Sequence, residues 1–285
     1  MFTMNCRGRQ RIVDKPMVMG ILNCTPDSFF EGSRVPGIEL ALAKATVMIE
    51  EGADILDIGG QSTRPGSTPV DPVTECKRIL PVIREIASSF PDIWISVDTY
   101  YAEVAREAVQ AGATLVNDIS GGRIDEAMIP TVASLQVPYV CMHMQGLPSH
   151  MQGQPKYEDV TREVTDYFIE RIAVCRHAGI HDIVLDPGFG FGKTIDHNLL
   201  LLNQLEYFHL FELPILTGLS RKSTIYRTLQ CTPEEALNGS TVLHTIALLK
   251  GATILRVHDV KEAVEAVRLV RAYQQQPGLS AAGRS

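Results

Sequence analysis

The chain has 285 residues, 45% of them hydrophobic and 21% charged, with a formal net charge of −7. That balance suits an ordinary soluble globular protein and argues against a nucleic-acid surface, though it leaves room for a local cluster of cations around a phosphate-bearing ligand. Six cysteines (Cys6, Cys24, Cys76, Cys141, Cys175, Cys231) form no C-x-x-C pair, so neither a zinc site nor a disulfide framework is expected, and Cys141 and Cys175 read as buried thiols. The first residues carry no long apolar stretch, which predicts no signal peptide and no membrane span; the expected setting is cytoplasmic and reducing.

Taken in chain order, Phe2–Asp14 changes character around Gly8 and reads as a hairpin able to plug the bottom of a barrel. Short apolar runs follow at Met17–Asn23, Ile55–Ile58, Ile93–Val97, Leu115–Asn117, Tyr139–Met142, Ile183–Leu185, Ile215–Leu216 and Ile254–Val257. They are too apolar for half-exposed strands, as expected of parallel strands covered on both faces. Helical spacing is clearest at Ile38–Glu51, Val73–Ser89, Tyr101–Ala111, Asp159–Ala178 and Pro233–Lys250. Gly52, Gly112, Gly179 and Gly251 follow four of these segments, where a left-handed helix stop favours glycine. The pattern predicts an α/β chain: one (β/α)8 TIM barrel over residues 1–276 with a short N-terminal hairpin, and a disordered polar tail at 277–285. A doubly wound open sheet is the alternative architecture.

In such a barrel, functional groups gather at the C-terminal ends of the strands. Those ends carry Asn23, Gly59-Gly60, Asp98, Asn117, Met142-His143, Asp186, Gly218 and Arg256 with His258. Polar residues that finish apolar strands are costly unless a partner meets them, and here several converge at one end. Asp98, Asn117 and Asp186 offer acceptors to a flat heterocycle rich in N–H groups; Arg64, Lys222, Arg256 and His258 offer positive charge or donors to an anion. Together they suit a ligand with a heterocycle at one end and phosphate at the other.

The loops after the strands contain five motifs. They are Asn23-Cys24-Thr25-Pro26-Asp27-Ser28-Phe29-Phe30, Gly59-Gly60-Gln61-Ser62-Thr63-Arg64-Pro65-Gly66, Asp186-Pro187-Gly188-Phe189-Gly190-Phe191-Gly192-Lys193, Gly218-Leu219-Ser220-Arg221-Lys222-Ser223 and Arg256-Val257-His258-Asp259-Val260. Each alone is ordinary turn chemistry. In this order, from about Met17 to about Val260, they resemble dihydropteroate synthases of the pterin-binding TIM-barrel family. The run Gly192-Lys193-Thr194 imitates the end of a P-loop, but the position five residues before Gly192 is Pro187, not glycine.

The resemblance implies a transferase of folate biosynthesis. It would condense 6-hydroxymethyl-7,8-dihydropterin pyrophosphate with p-aminobenzoate to give 7,8-dihydropteroate and pyrophosphate. Asp98, Asn117 and Asp186 would grip the pterin edge, Lys222 would donate to its carbonyl and ring nitrogen, and Met142, Phe191, Gly218 and Arg256 would line the ring. Pyrophosphate would meet Asn23 through Mg2+, with Arg64, Arg256 and His258. Phe29, Thr63, Pro65 and Ser220 would hold p-aminobenzoate, for which sulfonamides compete, and pterin is expected to bind first. The catalytic set would be Arg64, Lys222, Arg256 and His258. Relatives pair through their later helices, so a homodimer with Ala236–Leu249 at its face is expected, with no nucleic-acid or membrane partner.

Two positions depart from the pattern. Gln61 stands where glutamate is expected, removing a charge near Thr63 and Arg64, and Glu31-Gly32-Ser33 replaces an expected Asp-Gly-Gly. A methyltetrahydrofolate-binding barrel of a corrinoid methyltransferase shares the Asp/Asn/Asp grip, but it has no use for the cations that would hold pyrophosphate. A pterin-binding relative that had lost turnover would show damage at Asn23, Thr63, Arg64, Lys222 or His258, and none is missing.

Overall fold

A tight reversal opens the chain. In this computed structural model, which describes residues 2–25, 34–61, 69–146 and 155–276, strands β1 (Phe2–Cys6) and β2 (Arg9–Val13) pair antiparallel from Phe2↔Val13 to Cys6↔Arg9. The two residues between them, Arg7 and Gly8, both have positive φ (51° and 85°), the geometry of a two-residue turn that matches strand twist.

The remaining strands are parallel: β3 (Met17–Asn23), β4 (Ile55–Gly59), β5 (Trp94–Asp98), β6 (Leu115–Asp118), β7 (Tyr139–Met142), β8 (Ile183–Asp186), β9 (Leu216–Thr217) and β10 (Ile254–Val257). Their order around the sheet is β8-β7-β6-β5-β4-β3-β10-β9. The two ends meet through the parallel bridge Leu185↔Ile215, beside which the Leu185 amide donates to the Pro214 carbonyl at 2.8 Å. The sheet is therefore an eight-stranded, nearly closed barrel. The TIM-barrel expectation holds and the open-sheet alternative does not.

Around it lie α1 (Arg34–Glu50), α2 (Pro72–Ser89), α3 (Ala102–Ala111), α4 (Met128–Leu135), α5 (Val160–Ala178), α6 (Ile195–Asn203), α7 (Ser223–Leu229), α8 (Leu237–Leu249) and α9 (Val260–Gln274). A 3-10 turn spans Leu205–Phe211. Local chemistry sets several of these ends. Asp71 caps α2 by accepting from the Thr74 amide, with Pro72 in the first turn, and Asp159 caps α5 through the Thr161 and Arg162 amides. The four glycines expected to stop helices all have positive φ.

The strands fall within a residue of their sequence-based bounds. The segment Pro233–Lys250 is corrected: α8 begins at Leu237, because Thr232 and Glu235 exchange backbone-to-side-chain bonds and close a separate turn first. The proposed tail, 277–285, lies outside the described residues.

Side chains alternate along a strand, so every second residue of the barrel points inward. Met17, Met19, Ile55, Leu115, Val140, Val184, Leu216 and Ile254 form the inner core, and Met4 and Val13 of the hairpin pack into the same cluster. The hairpin thus plugs the N-terminal end of the barrel, as its sequence predicts. A second, larger core separates the strands from the helices; Cys141 and Cys175 are buried in it.

Candidate active site

Continuing the inward alternation past the apolar core brings Asn23, Gly59, Asp98, Asn117, Met142, Asp186, Gly218 and Arg256 to one end of the barrel. Register puts four of them on one level, since Asn23 pairs with Gly59, Gly59 with Asp98, and Asp98 with Asn117. Met142 stands beside Asp186 in the same way. The strand-end residues singled out from sequence are therefore brought together. Phe29, Thr63, Arg64 and Pro65, and the departure at Glu31-Gly32-Ser33, lie outside the described residues.

At the centre of this level is an ion cluster. Arg256 donates from Nε to Asp57 Oδ2 and from Nη2 to Asp98 Oδ2, both at 2.6 Å. Asn117 donates to the same Asp57 oxygen at 3.2 Å. Asp57 is completely buried and its Oδ1 has no hydrogen-bond partner. The residue was not anticipated. Its one signal was a lone charge inside the apolar run Ile55-Leu56-Asp57-Ile58, one turn of the alternation below Gly59. Burial pushes Asp98 up to about 7, Arg256 pulls against that shift, and Asp57 adds to it.

This cluster leaves specific atoms unused. Among the described residues, Asp98 Oδ1, Asn117 Oδ1 and Asp186 Oδ2 accept no hydrogen bond, while Asp186 Oδ1 takes the Gly188 amide at 2.8 Å. Three acceptors at strand ends face one region, which suits an edge bearing several N–H groups. Burial raises the Asp186 pKa, opposed chiefly by Lys222.

Lys222 reaches this region from the start of α7. Its ammonium donates to the Phe189 carbonyl and lies 4.7 Å from the centre of the Phe191 ring. Gly190 makes room for it, because a Cβ there would press on the lysine side chain at 3.1 Å. Burial lowers its pKa to about 8, against the pull of Asp186. Phe191 and Met142 share a small apolar cluster with Tyr100 and Ile119, which gives a flat ligand an apolar wall.

His258 and Ser220 form a pair. The His258 amide donates to Ser220 Oγ at 3.1 Å, and His258 Nδ1 lies 3.0 Å from the same oxygen. Packing and the neighbouring Arg256 push the imidazole down to about 4 although its outer edge is exposed, so it is neutral at pH 7. In the tautomer in which the Ser220 hydroxyl donates to Nδ1, Nε2–H is the outward donor. Ser220 is buried, so this geometry makes it the orienter of His258. The adjoining Arg221 is spent on a two-pronged bond to Asp259 at 2.8 and 2.9 Å.

Gln61, the departure from the motif, is buried, donates to Glu75 Oε2 at 3.1 Å, and accepts from the Tyr100 hydroxyl at 2.9 Å; Thr63 and Arg64, whose surroundings it was expected to change, lie outside the described residues. Glu75 is fully buried, and its pKa is pushed up to about 8 by burial and by Asp98.

A parallel barrel whose mouth pairs buried carboxylates and an amide with Arg256 and Lys222 defines an enzyme built around a heterocycle. The chain belongs to the family described as pterin binding enzyme, whose model matches residues 19–258. Within that family it belongs with the dihydropteroate synthases. It is 48% identical over 268 residues to the dihydropteroate synthase of Escherichia coli, covering 93% of this chain and 94% of that one. The Yersinia pestis dihydropteroate synthase solved with a sulfonamide drug superposes with a TM-score of 0.89 at 43% identity, covering 96% of this chain and 99% of that one. The Xanthomonas albilineans enzyme in complex with 7,8-dihydropteroate gives 0.86 at 40% identity, over 96% and 100%.

Proposed function

We propose that this chain joins p-aminobenzoate to the methylene carbon of 6-hydroxymethyl-7,8-dihydropterin pyrophosphate, releasing pyrophosphate and 7,8-dihydropteroate. The observation that carries the reading is the set of unused acceptors on Asp98, Asn117 and Asp186 beside Arg256, Lys222 and His258. The pterin edge takes the acceptors, and Lys222 turns from the Phe189 carbonyl toward the ring. The aromatic amine is a weak nucleophile, so the carbon–oxygen bond to pyrophosphate breaks ahead of attack. Negative charge then grows on the leaving group, where Arg256, the His258 Nε2–H and, from the sequence motif, Arg64 supply donors. Rate enhancement comes from positioning and fixed electrostatics.

The described residues contain no group of three acidic, His or Cys ligands able to hold a metal. Asn23 contributes one neutral amide oxygen at the end of β3. That suits Mg2+ carried in by pyrophosphate, since magnesium keeps several waters and uses phosphate oxygens as ligands. Asn23 would hold it, and the ion would spread the charge of the departing pyrophosphate. Thr63, Pro65, Phe29 and Ser220 are assigned to p-aminobenzoate from the motifs, with pterin binding first, and sulfonamides enter as its analogues.

Two copies are proposed to pair through α8, where Val242, Ile246 and Leu249 leave apolar side chains exposed. Among the described residues no helix is long and apolar enough to cross a membrane. All six cysteines are free, which supports a reducing cytoplasmic setting.

The test is product formation from dihydropterin pyrophosphate, p-aminobenzoate and Mg2+, with Arg256→Ala alongside. Dihydropteroate and pyrophosphate, both lost in the variant, are expected. Tight pterin binding without either product would overturn the transferase reading.

A further inference from the structure

The sequence run Gly192-Lys193-Thr194 imitates a phosphate-binding end. Its lysine is not at the surface. Lys193 is 3% exposed, and its ammonium meets three acceptors: His143 Nδ1 at 2.9 Å, the Gly188 carbonyl at 3.0 Å and the Phe191 carbonyl at 3.3 Å. Three N–H donors against three acceptors match an ammonium and leave none to hold a phosphate.

Those acceptors frame the Pro187–Gly192 turn. The turn follows Asp186 directly, presents the Phe191 ring, and offers the Phe189 carbonyl to Lys222. It has no slack elsewhere. A side chain at Gly188 (φ +70°) would run into the His143 carbonyl oxygen, and one at Gly192 (φ +62°) into that of Gln145. Asn198 secures the far side, accepting from the Gly190 amide at 2.8 Å. The turn is thus held between Lys193 on one side and Lys222 on the other.

We infer that Lys193 is a positioning residue for the pterin end of the site, fixing the Pro187–Gly192 turn that directly follows Asp186. The inference rests on the reading of Asp186 as a pterin acceptor. Several charges face the carboxylate: Lys222 from the start of α7, Arg256 from β10, and Lys193 from its own connection. Lys193 in turn faces Asp186, Lys222 and a neutral His143, whose pKa burial and Lys193 itself hold well below the usual imidazole range. Burial pushes the ammonium down to about 7, while Asp186 works to keep it charged.

The experiment measures binding of dihydropterin pyrophosphate by calorimetry between pH 5 and pH 8. It compares wild type, Lys193→Met, Lys193→Gln, Asn198→Ala and Asp186→Ala. Lys193→Met is expected to weaken binding about 30-fold, in the range for lost hydrogen bonds from a charged group. KM for p-aminobenzoate at saturating pterin should stay within about twofold, because the residues assigned to it, Phe29, Thr63, Pro65 and Ser220, belong to neither the turn nor Asp186. Losing a cation also raises the Asp186 pKa, so the fall in affinity on the acid side should move to higher pH. Lys193→Gln keeps amide donors but no charge, so it should show the same move and carries the test if Lys193→Met does not fold. Asn198→Ala should weaken binding with the acid limb unmoved.

A lysine with only a structural role would lower Tm and leave both the affinity of the folded protein and its acid limb as in wild type. That result, with Asp186→Ala abolishing binding, overturns the inference alone. Failure of wild type to bind, or unimpaired binding by Asp186→Ala, overturns it together with the reading of the site.

Discussion

Replacing Asp57 with asparagine separates charge from shape at the centre of the site. The carboxylate is completely buried, holds Arg256 at 2.6 Å and Asn117 at 3.2 Å, and has one unpartnered oxygen. Asparagine keeps an oxygen for Arg256 but removes a unit charge about 4 Å from the guanidinium centre, an attraction of about 4 kcal/mol at an effective dielectric near 20. Relief from burying that ion is also several kcal/mol and offsets much of the loss. Arg256 keeps its 2.6 Å bond to Asp98, so no cation is left alone. The net destabilisation is then about 1–3 kcal/mol. At about 0.6 kcal/mol per degree for a chain of this length, Tm falls by about 2–5 °C. The second readout has the opposite sense. Asp57 helps to raise Asp98, so asparagine lets Asp98 stay ionised to lower pH. The acid limb of kcat/KM for the pterin substrate should therefore move down while the protein becomes less stable. A melt and a pH–rate profile on the same preparation decide it. An acid limb that stays put or moves up refutes the reasoning.

Glu75 has a raised pKa, so the stability due to its neutral form is complete below about 4.5 and lost as pH climbs through about 8. Urea titrations from pH 5 to 8 should show stability falling by up to about 1.4 kcal/mol per pH unit from this group, and Glu75→Gln should flatten that slope. Gln61→Glu sets a second carboxylate where the amide now lies 3.1 Å from Glu75. The pair must then share a proton, so this variant should lose more Tm at pH 8 than at pH 6. Ser220→Ala removes the hydroxyl that fixes His258 Nδ1 and should lower kcat about tenfold, the scale of one misdirected hydrogen bond. Steady-state assays with a melt as control check it; an unchanged kcat would show that the imidazole orients itself.

The barrel was legible because buried parallel strands are nearly all apolar, which makes their polar ends conspicuous. Asp98, Asn117 and Asp186 could be found from that contrast alone. Asp57 could not, since the partner that makes its burial tolerable is 199 residues away on β10. Gln61 was legible as a departure, but its partner was not, because the side chain that answers it, Glu75, sits inside α2. Lys193 carried a misleading signal: sequence shows a lysine after glycines, while only the folded turn shows it facing inward. Helices α6 and α7 were not singled out for a simpler reason. Seven residues give α7 too few turns to show a period, and α6 presents Leu199–Leu202 as an unbroken apolar run.

The hairpin of β1 and β2 stoppers the barrel from below, with Met4 and Val13 seated among the innermost side chains. The interior is filled by that core, so ligands reach the site from the mouth alone, and the proposed order, pterin first, makes traffic there a stack. Whatever settles deepest arrives first and departs last, and a molecule parked above bars both arrival and escape. An inhibitor occupying only the upper berth should therefore imprison the pterin beneath it rather than compete with it, and rising pterin concentration should strengthen the blockade.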